Sequence, residues 1–96
     1  MSNNVLVIDV GTQSLRAIVF NDKGEILAKE KINYPPYISE LSGYVQQDAS
    51  MYWDVLCQAT QNLAQYHAEL LSSVMGVTLD TFRDTSVLLG KDNRPV

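Results

Sequence analysis

The sequence predicts an α/β domain: a mixed sheet in the order β-β-β-α-β, a further C-terminal strand and one long helix. Three observations predict it. Short β-branched runs separated by polar turns occupy the opening third of the chain. From Ala49 to about Ser72 no glycine or proline interrupts a stretch rich in Ala, Leu and Gln. A second β-branched run then follows at once, as it does where a helix crosses over between strands.

The elements are justified in turn. Val5 to Ile8 is an unbroken aliphatic run, the pattern of a central strand buried on both faces. A polar hinge, Asp9 to Ser14, separates it from "LRAIVF", a second run of β-formers. "NDKG", Asn21 to Gly24, is a turn in which Gly24 suits a positive φ. "EILAKEKINY" is a third strand, and its alternation of Leu27, Lys29 and Lys31 with Ile26, Ala28 and Glu30 turns at least one face to water. These runs make a three-stranded antiparallel meander.

"YPPYISELSGY", with two consecutive prolines and a Ser-Gly pair, is a surface connection. Asp48 is placed to cap the helix, whose stripe of Tyr52, Leu56, Ala59, Leu63, Tyr66 and Leu70 packs on the sheet. "VMGVTL", Val74 to Leu79, comes after a crossover long enough to lay it parallel to an earlier strand. "TSVLL", Thr85 to Leu89, is one more strand, entering the turn "GKDNRP".

Bulk properties exclude several classes. Eleven acids against seven bases leave a net charge of -4, no footprint for nucleic acid or for an anionic membrane surface. The single Cys57 makes no internal disulfide, and no Cys/His cluster has zinc spacing. The start "MSNN" lacks a signal peptide's basic region, and no run approaches the roughly 20 apolar residues that span a bilayer. A cytoplasmic location is expected.

The hinge carries the chemistry. It has neither the Gly-x4-Gly-Lys-Ser/Thr of a P-loop nor the Gly-x-Gly-x-x-Gly of a dinucleotide fold, and it leads into a strand, not a helix. Asp9 ends a buried strand, Gly11 has no side chain to keep an anion away, and Thr12, Gln13 and Ser14 offer donors. A carboxylate beside a phosphate needs a magnesium ion between them, here through water. The local alternative is a plain tight turn, for which the same residue types are favoured. Elsewhere the ordinary readings prevail. His67 is a packing or surface residue, Cys57 a small core residue, Tyr52, Trp53 and Tyr66 core aromatics, and Lys29 and Lys31 a solvated strand face.

The stretch "DVGTQSLRAIVFNDKGEIL" resembles the first phosphate-binding hairpin of the sugar-kinase, heat-shock-protein and actin superfamily. Within it, the chain is most similar to the FGGY carbohydrate kinases. "GYVQQDASMYW" resembles their Gly-aromatic-Val segment before a Trp-bearing helix, "MGVTLDTFRDTSVLL" their next strand and substrate loop, and "KDNRPV" the turn that follows.

The resemblance implies a partial ribonuclease H-like (actin-like ATPase) domain. Residues 1–96 would be an incomplete N-terminal kinase domain, with its remainder and a second domain absent. The parent would be an ATP-dependent carbohydrate kinase moving the γ-phosphoryl of ATP to a hydroxyl of a sugar or polyol, with ATP and Mg2+ as cofactors. Asp9 would hold the magnesium-bound waters. Gly11, Thr12, Gln13, Ser14 and Arg16 would lie by the phosphates, and Arg83 and Asp84 would bind substrate hydroxyls. Arg83 lies two residues farther from Gly76 than in that pattern, and Asp84 stands where the pattern has Glu.

The general base is expected downstream of Val96, so the fragment alone should be inactive. It should also self-associate through an exposed sheet edge. Two other classes stand beside this reading: another actin-like or chaperone-like ATPase domain, and a non-catalytic binding module whose hairpin turn is structural.

Overall fold

The aliphatic run at the N-terminus forms β1 (Asn4–Val10), which pairs antiparallel with β2 (Ser14–Phe20). Strand β2 pairs antiparallel in turn with β3 (Ile26–Asn33). The computed structural model describes residues 3–11, 13–34, 48–81 and 89–95. Between β2 and β3 the Asn21 Oδ1 accepts from the N–H groups of Lys23 and Glu25, both at 2.9 Å. Gly24 there takes φ 80°, a conformation that glycine adopts without a Cβ clash.

Asp48 caps α1 (Ala49–Tyr66), its carboxylate accepting from the Ser50 N–H at 3.1 Å. The sequence predicts one helix to Ser72. The chain instead breaks at His67 (φ -139°, ψ 44°) and resumes as the short α2 (Ala68–Ser72). No glycine or proline marks the break, which follows tertiary docking over local propensity. Leu70, Leu71 and Val74 turn in against the core, and the Asn4 Nδ2 donates to the Ser73 Oγ at 2.7 Å.

The returning strand β4 (Val74–Thr81) then lies parallel to β1, giving the sheet order β3-β2-β1-β4. The predicted strand at Thr85 to Leu89 lies outside the described residues except for Leu89. That residue forms an antiparallel bridge to Pro95 across a turn with Asn93 at φ 62°.

The core sits on one face of the sheet. Leu6, Ile8, Leu15, Ala17, Val19 and Ala28 meet Val55, Ala59 and Leu63 of α1 there. Ala59 and Leu63 of the predicted stripe are buried and Leu56 and Leu70 pack against the core, with Val55 added to the buried line. Tyr66, in the last turn before the break, is exposed, and so is Trp53. Two residues before Val55 is roughly 160° around a helix, which puts Trp53 on the far side. Of the three expected core aromatics only Tyr52 is partly covered.

Helix α1 packs over β2 and β3. Register continues the same face onto β4, with Val77 beside Leu6 and Leu79 beside Ile8. Met75, Val77 and Leu79 are nevertheless 68%, 67% and 63% exposed. Among the described residues, no helix is long and apolar enough to cross a membrane.

Candidate functional site

Alternation along β1 decides which way Asp9 faces. Leu6 and Ile8 point to the helix, so Asp9 belongs to the opposite face, near the end where β1 runs into the hinge. Register places Arg16 directly opposite it on β2, Lys31 beyond Arg16 on β3, and Asp80 on the other flank on β4. One row across four strands therefore reads Lys31, Arg16, Asp9, Asp80. Two cations abut two carboxylates.

The middle pair is closed. The Arg16 Nη2 donates to the Asp9 Oδ2 at 2.5 Å, with the two side chains 44% and 24% exposed. Around the hinge the Gly11 N–H donates to the Ser14 carbonyl at 2.9 Å. A Cβ at Gly11 would stand 3.3 Å from that same oxygen, a tight approach that glycine avoids. Gln13 is exposed and Ser14 half-buried. The Gln13 carbonyl accepts from the Tyr34 N–H at 3.0 Å, which ties the hinge to the end of β3.

Asp9, Gly11, Gln13, Ser14 and Arg16 are thus brought together at one end of the sheet. Thr12, Arg83 and Asp84 lie outside the described residues. Sequence reasoning missed three neighbours: Asp80, Lys31 and Tyr34. For Asp80 a signal existed, since "VMGVTLD" laid parallel to "NVLVIDV" brings two strand-end carboxylates level. Lys31 needed the β2–β3 register, and Tyr34 gave no signal.

Tyr34 packs edge-on to Tyr52 of α1, with ring centroids 5.3 Å apart and planes at 87°. Its phenol pKa is pushed up to about 12, first by burial and then by electrostatic repulsion from the Tyr52 phenol and the Asp9 carboxylate. Tyr34 stays protonated at neutral pH.

The donor set fits a magnesium ion held mainly through water. No group of three or more His, Cys, Asp or Glu side chains forms a metal cage among the described residues. Asp9 and Asp80 do put two hard oxygen ligands in register, and magnesium commonly takes one or two carboxylates, with waters and phosphate oxygens completing its shell.

Solved structures share this architecture. A gluconate kinase from Lactobacillus acidophilus superposes with a TM-score of 0.83 over 100% of this chain and 19% of its own, at 18% identity. A xyloylose kinase from Brucella ovis gives 0.89 over 97% and 19%, also at 18% identity. A Plasmodium falciparum glycerol kinase, solved with ADP, gives 0.70 over 92% and 18%, at 17% identity. The chain spans about a fifth of the length of these proteins. At such identities the likeness is one of fold: a mixed sheet with a hairpin hinge and a parallel return strand, consistent with part of a ribonuclease H-like domain.

The sequence is more specific. Residues 4–96 match the N-terminal domain of the FGGY family of carbohydrate kinases, and the chain belongs to that family.

Proposed function

We propose that this chain is the N-terminal part of an ATP-dependent kinase that transfers the γ-phosphoryl group to a hydroxyl of a sugar or polyol. The observation that carries the reading is the hinge after β1, with Asp9, Gly11, Gln13, Ser14 and Arg16 at one end of the sheet of an FGGY-family chain. Phosphoryl transfer asks a protein chiefly for alignment and charge stabilisation.

Gly11 leaves room for a phosphate, Thr12, Gln13 and Ser14 donate to its oxygens, and Arg16 offsets its charge. Asp9 orients the waters of a magnesium ion, which when bound neutralises charge on the phosphates. Arg83 and Asp84 address the hydroxyls of the acceptor. Asp9 and Arg16 pair with one another. An exposed pair of this kind holds only about 0–1 kcal/mol, so parting it for metal and anion is a small cost.

The segment by itself lacks a general base and is inactive in this reading. The parent works in the cytoplasm, binds neither nucleic acid nor membrane, and takes a small polyol such as glycerol, xylulose, ribulose or gluconate. The isolated segment self-associates through β4, whose apolar residues are exposed.

The test is an assay of the longer chain that contains this segment, supplied with ATP, magnesium and a panel of such polyols. Sugar-dependent ADP release is expected, abolished or strongly reduced by Asp9→Asn, with none from the 96-residue segment. ATP hydrolysis indifferent to every sugar would replace the kinase reading with that of an actin-like ATPase. Light scattering tests the association: the segment should show a mass above that of the monomer and Val77→Lys should return it to monomer. A wild-type monomer at high concentration would end that part of the reading.

A further inference from the structure

Lys31 stands one strand beyond the closed pair of Arg16 and Asp9. Alternation on β3 fixes its face: Ala28 is buried and Ile32 packs against the core, so Lys29 and Lys31 lie on the opposite face, that of Asp9. Register sets Lys31 directly across from Arg16, two residues from where β2 leaves the hinge at Ser14. Like charges set opposite one another across strands oppose pairing, so a sheet composed for stability alone would give Arg16 a carboxylate on β3. It has Lys31 instead. Arg16 turns its guanidinium to Asp9, and Lys31 makes no ion pair among the described residues. Its same-face neighbours along β3, Lys29 and Asn33, bring no negative charge. The row is sorted by sign, with cations on β3 and β2 and carboxylates on β1 and β4. That order suits a ligand whose own charges are sorted, a metal ion beside a phosphate.

We propose that Lys31 is a further phosphate-binding residue, its ammonium holding, together with Arg16, the anion that the hinge receives. The proposal rests on the reading of the hinge as a phosphate site. Neighbouring strands lie about 4.8 Å apart, within reach of the long and flexible lysine stem, so an anion seated over Arg16 also meets the Lys31 ammonium. Once Asp9 serves a metal ion, Arg16 loses its partner, and two adjacent cations are left for the anion to offset. Lys29 provides the contrast. It shares the strand, the face and the exposure of Lys31 but pairs with Ile18, about 7 Å farther from the hinge at the rise of a strand.

The test compares the chain with its Lys31→Gln, Lys31→Arg and Lys29→Gln variants. Amide shifts of Gly11, Gln13 and Ser14 are followed by NMR during titration with inorganic phosphate and with magnesium-ATP, and thermal melting of the free proteins is recorded alongside. Either glutamine variant changes the net charge equally, so a general attraction of anions to the chain moves both alike. Lys31→Gln should weaken the Kd for both ligands by about fivefold, the upper end for an exposed ion pair, and Lys29→Gln by less than about twofold. Lys31→Arg, which keeps the charge, should bind as the wild type does. Free Lys31→Gln should melt no lower than Lys29→Gln, because it loses an unfavourable neighbour of Arg16.

If the wild-type amides shift and the two glutamine variants bind alike, Lys31 is only a charge on an exposed edge, and its role is overturned while the hinge reading stands. A Lys31→Gln variant that melts well below Lys29→Gln overturns it too, since Lys31 then serves the free sheet. If the wild-type hinge shifts with neither magnesium-ATP nor phosphate, the hinge reading fails and the proposal falls with it.

Discussion

Over β2 and β3, Leu15, Val19 and Ala28 lie sealed beneath α1, whereas over β4, on the same face of the same sheet, Met75, Val77 and Leu79 remain more than half exposed. The two outer edges differ in the same sense. Strand β3 carries exposed Lys29 and Lys31, charges that discourage another strand from docking. Strand β4 carries no charge from Val74 to Leu79. The contrast separates two kinds of strand that a hydropathy plot would score alike: β3 is composed as an outer edge, and β4 as an inner strand. It also shows where the described core is unfinished. Val77 and Leu79 extend the rows of Leu6 and Ile8, and α1 does not cover them.

The largest effect should come from the covered half. Leu63 is fully buried between α1 and the sheet, and Leu63→Ala should cost about 3 kcal/mol, the middle of the range for a leucine truncated in a core. Leu79→Ala, the same truncation on the bare half, should change stability by no more than about 0.5 kcal/mol in dilute monomer. Urea denaturation of both variants measures the difference. Similar losses at the two sites would mean that β4 is covered in solution, and the comparison would break.

The next effect concerns the helix that does the covering. Asp48 supplies its N-cap through the Ser50 N–H, and Asp48→Ala should cost about 1 kcal/mol by freeing that donor at the first turn. Because α1 meets β2 and β3, the loss should appear as faster amide exchange in those strands and leave β4 unaltered. Exchange quickened equally in β4 would show that the helix supports the whole sheet.

These contrasts bear on what could be read without coordinates. Strands β1 to β3, the glycine turn and the Asp48 cap follow from local chemistry, which acts over a few residues and leaves a mark in sequence. The parallel docking of β4 was legible as well, from the length of the crossover before it. The break at His67 was not, because no glycine or proline marks it and the residues after it meet partners far away in the chain, as Ser73 meets Asn4. Nor was the exposure of Trp53 and Tyr66: of the predicted stripe Ala59 and Leu63 are buried and Leu56 and Leu70 pack against the core, but Val55 joins them and Tyr66 does not. In the candidate site the hinge residues announced themselves by type. The charged row needed cross-strand register, and the contact of Tyr34 with Tyr52 needed the packed fold.

The smallest effect belongs to the face opposite the core. Arg16 and Asp9 form the closed pair in the middle of the charged row, yet both are partly exposed, so water and salt screen their attraction. Arg16→Gln should therefore destabilise the chain by less than about 1 kcal/mol at low ionic strength, and by less still in about 1 M salt. The residual cost has two sources. One is the lost hydrogen bond to Asp9, and the other is that Asp9 and Asp80, level on neighbouring strands, lose the guanidinium that offsets one of them. Adding Asp9→Asn to the first change should recover part of the loss, because it removes a carboxylate from that row. A loss well above about 2 kcal/mol, insensitive to salt, would identify the pair as a structural clamp on the hairpin. A small, screened loss leaves Asp9 and Arg16 with little structural work, which is what a site that exchanges its own ion pair for a metal and an anion requires.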